Sequence, residues 1–154
     1  MPKHAEKRII HHTPEQMFEL VADVEKYPEF LPWCVATRVR EIMTEEDHEL
    51  MISDMVIGYK MFREKFTSKV ILQHPNRIDV TYFDGPFSHL NNFWIFEPIC
   101  VDGRSANSCM INFYIDFKFK SGFFQTAISA VFNKAVNRMI FAFEKRADTL
   151  YGLK

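Results

Sequence analysis

The sequence predicts a single α+β domain, residues 1–154, in which a curved antiparallel sheet wraps around one long C-terminal helix, with two short helices near the N-terminus. Three observations predict it. From Cys34 to Phe119, strand-like runs alternate with turn residues. The last of these runs keeps its apolar side chains on one face, and the stretch from Phe123 to Leu150 carries a broad apolar stripe at helical spacing. A chain of 154 residues fits one domain and can bury about two-thirds of the surface its unfolded form exposes. No repeat or low-complexity segment breaks the pattern, and Gly and Pro fall singly.

In chain order, Lys7 to His11 reads as a first strand. Thr13-Pro14-Glu15-Gln16 then supplies a capping residue, a proline at the first helical position and an acid in the first turn. Met17, Phe18, Val21 and Ala22 continue that helix, which Tyr27-Pro28 is expected to end before a second short helix around Glu29 to Trp33. Six further strands are expected at Val35–Ile42, His48–Ile57, Met61–Leu72, Arg77–Tyr82, His89–Phe96 and Asn107–Phe119. In the last, Cys109, Ile111, Phe113, Ile115, Phe117 and Phe119 share the inner face. In the third of the six, Arg63, Lys65, Thr67 and Lys69 alternate with Phe62, Glu64, Phe66, Ser68 and Val70, so the second set faces inward. Gly58 and Asp102-Gly103-Arg104 are read as hairpin turns. The final helix puts Phe124, Ile128, Val131, Phe132, Ala135, Met139, Ala142, Phe143 and Leu150 on its apolar face, and by its length crosses the concave side of the sheet.

Sixteen Phe, eight Met and two Trp place the apolar surface in large, adaptable side chains. That bias suits a pocket for a bulky apolar ligand, and equally a Phe-rich core. Nineteen basic against twenty acidic residues give no net drive toward phosphate backbones, which argues against DNA as a partner. Cys34, Cys100 and Cys109 have no CxxC spacing and suit a reducing, cytoplasmic compartment. The opening MPKHAEKRIIHH has no apolar leader core, and no run is long enough to span a bilayer, so membrane contact is expected to be peripheral.

No catalytic constellation emerges. The six His are scattered, His11 and His12 would point to opposite sides of a strand, and no glycine-rich phosphate loop occurs. Glu64 stands out, because an inward carboxylate between Phe62 and Phe66 must be paired, hydrogen-bonded or protonated. It is either a polar contact for a ligand or the partner of a base such as Arg38 or Arg146. Two loops are unusually apolar: Tyr27-Pro28-Glu29-Phe30-Leu31-Pro32-Trp33-Cys34, and Phe83-Asp84-Gly85-Pro86-Phe87-Ser88-His89-Leu90. Either could border a cavity entrance or pack shut onto the core.

These segments carry a resemblance. YPEFLPWC after an amphipathic first helix, GYKMFREKFTSKV, FDGPFSHL leading into NNFWIFEP, and the final helix resemble the coenzyme Q-binding proteins of the START-like, helix-grip (START/Bet v-like) superfamily, over about Arg8 to Leu150. The resemblance implies a sheet gripping the C-terminal helix and a tunnel for ubiquinone or a related polyprenyl lipid. It also implies a non-catalytic lipid chaperone that supports respiratory electron transfer and quinone synthesis, with peripheral contact at the respiratory membrane. The same family includes RatA-type ribosome-association toxins, so a protein that binds the large ribosomal subunit is the alternative, with Lys134, Arg138 and Lys145 as its basic patch. The wider superfamily includes polyketide cyclases, for which only Glu64 and Tyr82 would serve as acid or base. On the leading reading the ligand is lined by Leu31, Trp33, Phe62, Phe66, Tyr82, Phe87, Leu90, Trp94, Phe113, Phe124, Ile128 and Val131, with Glu64 as its polar contact. Phe93, Ile95 and Phe141 depart from the pattern by standing on expected outer faces.

Overall fold

The computed structural model describes residues 3–59, 62–99 and 108–152. Seven strands form one antiparallel sheet: β1 (Lys3–Ile10), β2 (Cys34–Thr44), β3 (Glu49–Tyr59), β4 (Phe62–Gln73), β5 (Arg77–Asp84), β6 (Phe87–Ile99) and β7 (Ser108–Phe119). Their order across the sheet is β1-β7-β6-β5-β4-β3-β2. The short connections expected from the sequence make chain neighbours into sheet neighbours from β2 to β7, and β1 closes the far side against β7. Each expected strand is present, most of them longer than its apolar pattern indicated.

Helix α1 (Pro14–Ala22) begins as its sequence requires. The Thr13 hydroxyl accepts from the Gln16 amide at 3.1 Å, and the Gln16 side chain accepts from the Thr13 amide at 3.0 Å. This reciprocal pair satisfies two N–H groups that the first turn leaves open. The helix stops earlier than Tyr27-Pro28. Tyr27 folds back and its hydroxyl donates to the Val21 carbonyl, which a continued helix would have used for the amide four residues on. The second helical segment is therefore a 3₁₀ helix over Val24–Glu29, and not a helix over Glu29 to Trp33. The chain leaves it through Trp33 at φ 66°, a left-handed conformation that is costly for a bulky residue.

Two other expectations need correction. Gly58 is a strand residue, paired with Arg63 across β3 and β4. The turn joining those strands, and the Asp102-Gly103-Arg104 turn, lie outside the described residues. The C-terminal helix is two helices, α2 (Gly122–Ser129) and α3 (Phe132–Tyr151). At Val131 the backbone takes φ −117° and ψ 5°, and its amide bonds to the Ile128 carbonyl at 3.0 Å in the tighter i−3 pattern. The break turns the apolar stripe. Phe132, Val136, Ile140, Phe143 and Ala147 become the buried line of α3, while Leu150 is exposed.

The core lies between the concave face of the sheet and α1 and α3. Trp94 meets Phe113 at 4.7 Å and Phe143 of α3 at 5.0 Å between ring centroids, and Phe143 also contacts Tyr27 and Phe30 at 5.3 Å each. The inner face of β7 is as its alternation predicts: Cys109, Ile111, Phe113, Phe117 and Phe119 are buried and Ile115 is half-buried. On the outer face, Phe93 stacks on Tyr114 at 5.3 Å, with the Arg77 guanidinium 5.0 Å from its ring. Thr67, on the outer face as its alternation predicts, stands opposite Asp54 and donates to it at 2.6 Å, and both are buried there. The arrangement is the helix-grip fold.

Candidate functional site

A half-enclosed cavity of about 230 Å³ lies at the end of the sheet where β7 passes into α2. Leu31, Pro32, Trp33 and Cys34 form one wall, Met55, Ile57, Gly58 and Glu64 a second, and Ile115, Phe117 and Phe119 of β7 a third. Ile128 of α2, Val131, and Phe132, Ala135, Val136 and Met139 of α3 cover it. The volume falls just below the range of about 300–1,000 Å³ usual for small-molecule sites. The break at Val131 shapes this roof, because it lets α2 and α3 present apolar side chains to the same space from different directions.

Local chemistry explains how each wall is positioned. The Trp33 carbonyl accepts from the Gly58 amide at 2.8 Å, so the left-handed turn at Trp33 is tied to β3. Gly85 holds the opposite loop close. At φ 144° it packs where a Cβ would lie 2.7 Å from the Phe66 Cβ, and the following Pro86 carbonyl accepts from the Lys120 amide at 2.8 Å. The turn between β5 and β6 is thereby joined to the start of α2.

The lining is apolar apart from a carboxylate and a thiol. Burial pushes the Cys34 thiol up to about 11, so it is protonated at neutral pH. Glu64 stands opposite Ile57 across the β3–β4 ladder, on the concave face, and is half-buried. Neither suggested base reaches it. Arg146 donates to Glu29 at 2.8 Å and lies 5.2 Å over the Phe30 ring, and Arg38 is exposed. Among the described residues no cationic side chain comes within 4 Å of Glu64, and none forms a cluster of three or more metal-ligating groups. Among the described residues no helix is long and apolar enough to cross a membrane.

Of the side chains read from the sequence as ligand contacts, Leu31, Trp33, Glu64, Ile128 and Val131 border this cavity. The side chains of Phe62 and Phe124 lie outside the described residues. Six others sit in packed core instead. Phe87 stacks on Phe119 at 4.6 Å and meets Phe66 and Tyr82 edge-on at 5.3 and 5.6 Å, with Leu90 buried in the same strand. Trp94 and Phe113 border a void of about 10 Å³, too small to hold more than a water. Alternation assigned these residues to the correct face, but it carries no information on where along that face the packing opens. The residues missed were Pro32, Cys34, Met55, Ile57, Gly58, Ile115, Phe117, Phe119, Phe132, Ala135, Val136 and Met139. Several of them stood on the predicted inner faces of β7 and the final helix.

Sheet, gripped helix and apolar cavity together define a START-like, helix-grip fold. The chain belongs to the family described as polyketide cyclase / dehydrase and lipid transport, whose model matches residues 10–144. A ribosome association toxin RatA from Rickettsia prowazekii is 35% identical over 144 residues, covering 91% of this chain and 92% of that one. Coenzyme Q-binding protein COQ10 homolog B, mitochondrial, from Xenopus laevis is 29% identical over 151 residues, covering 97% of this chain and 59% of that protein. Among solved structures, an 18 kDa protein from Caulobacter crescentus is 32% identical with a TM-score of 0.79, covering 99% of this chain and all of that one. A START superfamily protein from Mycobacterium smegmatis shares the fold at 14% identity, with a TM-score of 0.75 and coverage of 96% and 98%.

Proposed function

We propose that this protein is a non-catalytic carrier that holds the head and first isoprene units of a polyprenyl quinone such as ubiquinone. The observation that carries this reading is the cavity itself: apolar on every wall, with one carboxylate at its side. Its two ionisable groups are a thiol that burial keeps protonated and a carboxylate without a charged partner among the described residues, which supports binding over acid–base or nucleophilic chemistry. The likeness to a coenzyme Q-binding protein supports the choice of ligand. Lipid extraction from protein purified from its own host, followed by mass spectrometry, tests it. A co-purifying quinone is expected, and finding none, together with no binding on titration, refutes the reading.

Loading at a membrane surface belongs to the same reading. Phe83 of β5 and Phe123 of α2 are 64% and 70% exposed, and Lys118 and Lys120, a few residues before Phe123, are exposed as well. Apolar wedges beside cations suit an anionic bilayer. Sedimentation with anionic vesicles should retain the native protein and lose a Phe83→Asp, Phe123→Asp variant; equal retention would refute membrane loading.

A second reading, association with the large ribosomal subunit, is supported by a different surface. Lys134, Arg138, Phe141 and Lys145 follow one another at spacings of four, three and four along α3. All are exposed, Phe141 to 60%, and Lys145 lies 5.9 Å from the Phe141 ring. Cations flanking an exposed ring suit phosphate contacts with base stacking. The names of RatA relatives support this partner. Sucrose-gradient sedimentation at excess protein tests it: reduced subunit joining is expected, and unchanged profiles refute it.

A further inference from the structure

The hydrogen-bonding chemistry of Glu64 selects among ligands. Two other acidic side chains are paired with donors. Asp54, on the neighbouring strand, accepts from the Thr67 hydroxyl and the Arg40 guanidinium, each at 2.6 Å, and Glu29 accepts from Arg146 at 2.8 Å. Glu64 has no such donor among the described residues, although it shares the concave face with Ile57 and the buried Phe66. Among the described residues nothing takes up the acceptor capacity of its carboxylate, which is open to water or to a ligand in the cavity.

An ionised carboxylate accepts hydrogen bonds and donates none. An oxidised quinone head offers carbonyl and ether oxygens, which also only accept, so the two would face each other without a shared proton. The reduced hydroquinone carries two phenolic hydroxyls, either of which can donate a short, charge-assisted bond to Glu64. We propose that the cavity selects a prenylated head bearing a free phenolic hydroxyl, a hydroquinone or phenol, over the oxidised quinone. The proposal rests on the carrier reading above and adds a redox preference to it. A hydrogen bond to a charged group inside a largely apolar site is worth a factor of about ten or more in affinity, and the partial exposure of Glu64 puts the expectation at the lower end of that range.

The test is an anaerobic titration of the full chain with three probes: a decyl-tailed benzoquinone, the hydroquinone made from it, and the dimethyl ether of that hydroquinone. The native protein is expected to bind the hydroquinone about tenfold more tightly than either other probe. The ether keeps the ring and tail but has no hydroxyl, so this comparison decides the question without any mutation. In a Glu64→Gln variant, whose amide both donates and accepts, the ratio of hydroquinone to quinone affinity is expected to fall to about one. Equal binding of all three probes to the native protein overturns the inference and leaves the carrier reading standing. A preference that persists in the variant overturns the role of Glu64, and binding of no probe overturns both readings.

Discussion

Replacing Ala135 with Phe tests the cavity through the sign of a stability change. Ala135 is a half-buried α3 residue on the cavity roof, between Phe132 and Met139, and the space before it measures about 230 Å³. A phenyl ring grown from this position enters that space. Full burial of a large apolar side chain contributes about 1.5–3 kcal/mol. Against this stand about 0.5 kcal/mol of helix propensity lost relative to Ala, and a similar cost for fixing the ring. The expected result is a net stabilisation of about 1 kcal/mol, which in a domain of this size raises the melting temperature by about 2–4 °C. If Ala135 faced packed core, the same ring would overpack it and cost about 1–3 kcal/mol. Calorimetry of the ligand-free protein separates the two cases, and titration with a quinone should show binding lost in the variant. A lowered melting temperature, or binding that survives in a stabilised variant, refutes the cavity as drawn.

Trp94→Ala should cost about 3–5 kcal/mol in urea unfolding, because the indole fills the space between Phe113, Phe96 and Phe143 rather than lining the cavity; a loss below 1 kcal/mol would contradict that placement. Gly85→Ala should destabilise by about 1–3 kcal/mol, since the new Cβ would lie 2.7 Å from that of Phe66 on a backbone at φ 144°. An unchanged melting temperature would show that the turn can move away. For Asp54, burial opposes ionisation, but the Thr67 hydroxyl and Arg40 guanidinium overcome it and hold the carboxyl below its ordinary range. A depressed folded-state value contributes stability above the unfolded value near 4, and that stability is lost as pH falls from there through the folded value. Stability of Asp54→Asn, followed by denaturant titration from pH 6 to pH 2, should therefore fall less steeply below pH 4 than that of the native protein; parallel curves would refute the linkage.

Much of the fold was legible because it depends on local periodicity. The alternation in β7 needs only that one face be wet and the other dry, and the Thr13-Pro14-Glu15-Gln16 cap needs only groups within one helical turn. The errors fell where a distant group competes with a local pattern. Tyr27 takes the Val21 carbonyl and ends α1 early. The apolar stripe from Phe123 to Leu150 is continuous in sequence but is bent at Val131, where the roof of the cavity must turn.

The sequence by itself determined the α+β class, the inward faces of the strands, the apolar stripe of the C-terminal helices and the inward position of Glu64, because each follows from which side of a regular element a residue occupies. Only the tertiary structure decided where the space lies. Phe66, Phe87, Leu90, Trp94 and Phe113 are as apolar and as inward as Phe117 and Phe119, yet the first group packs away from the cavity and the second lines it. A cavity is what remains after side chains from many elements have met, so no single segment encodes it. Whether Arg146 reached Glu64 was settled in the same way: the end of the 3₁₀ helix places Glu29 and Phe30 against that guanidinium instead.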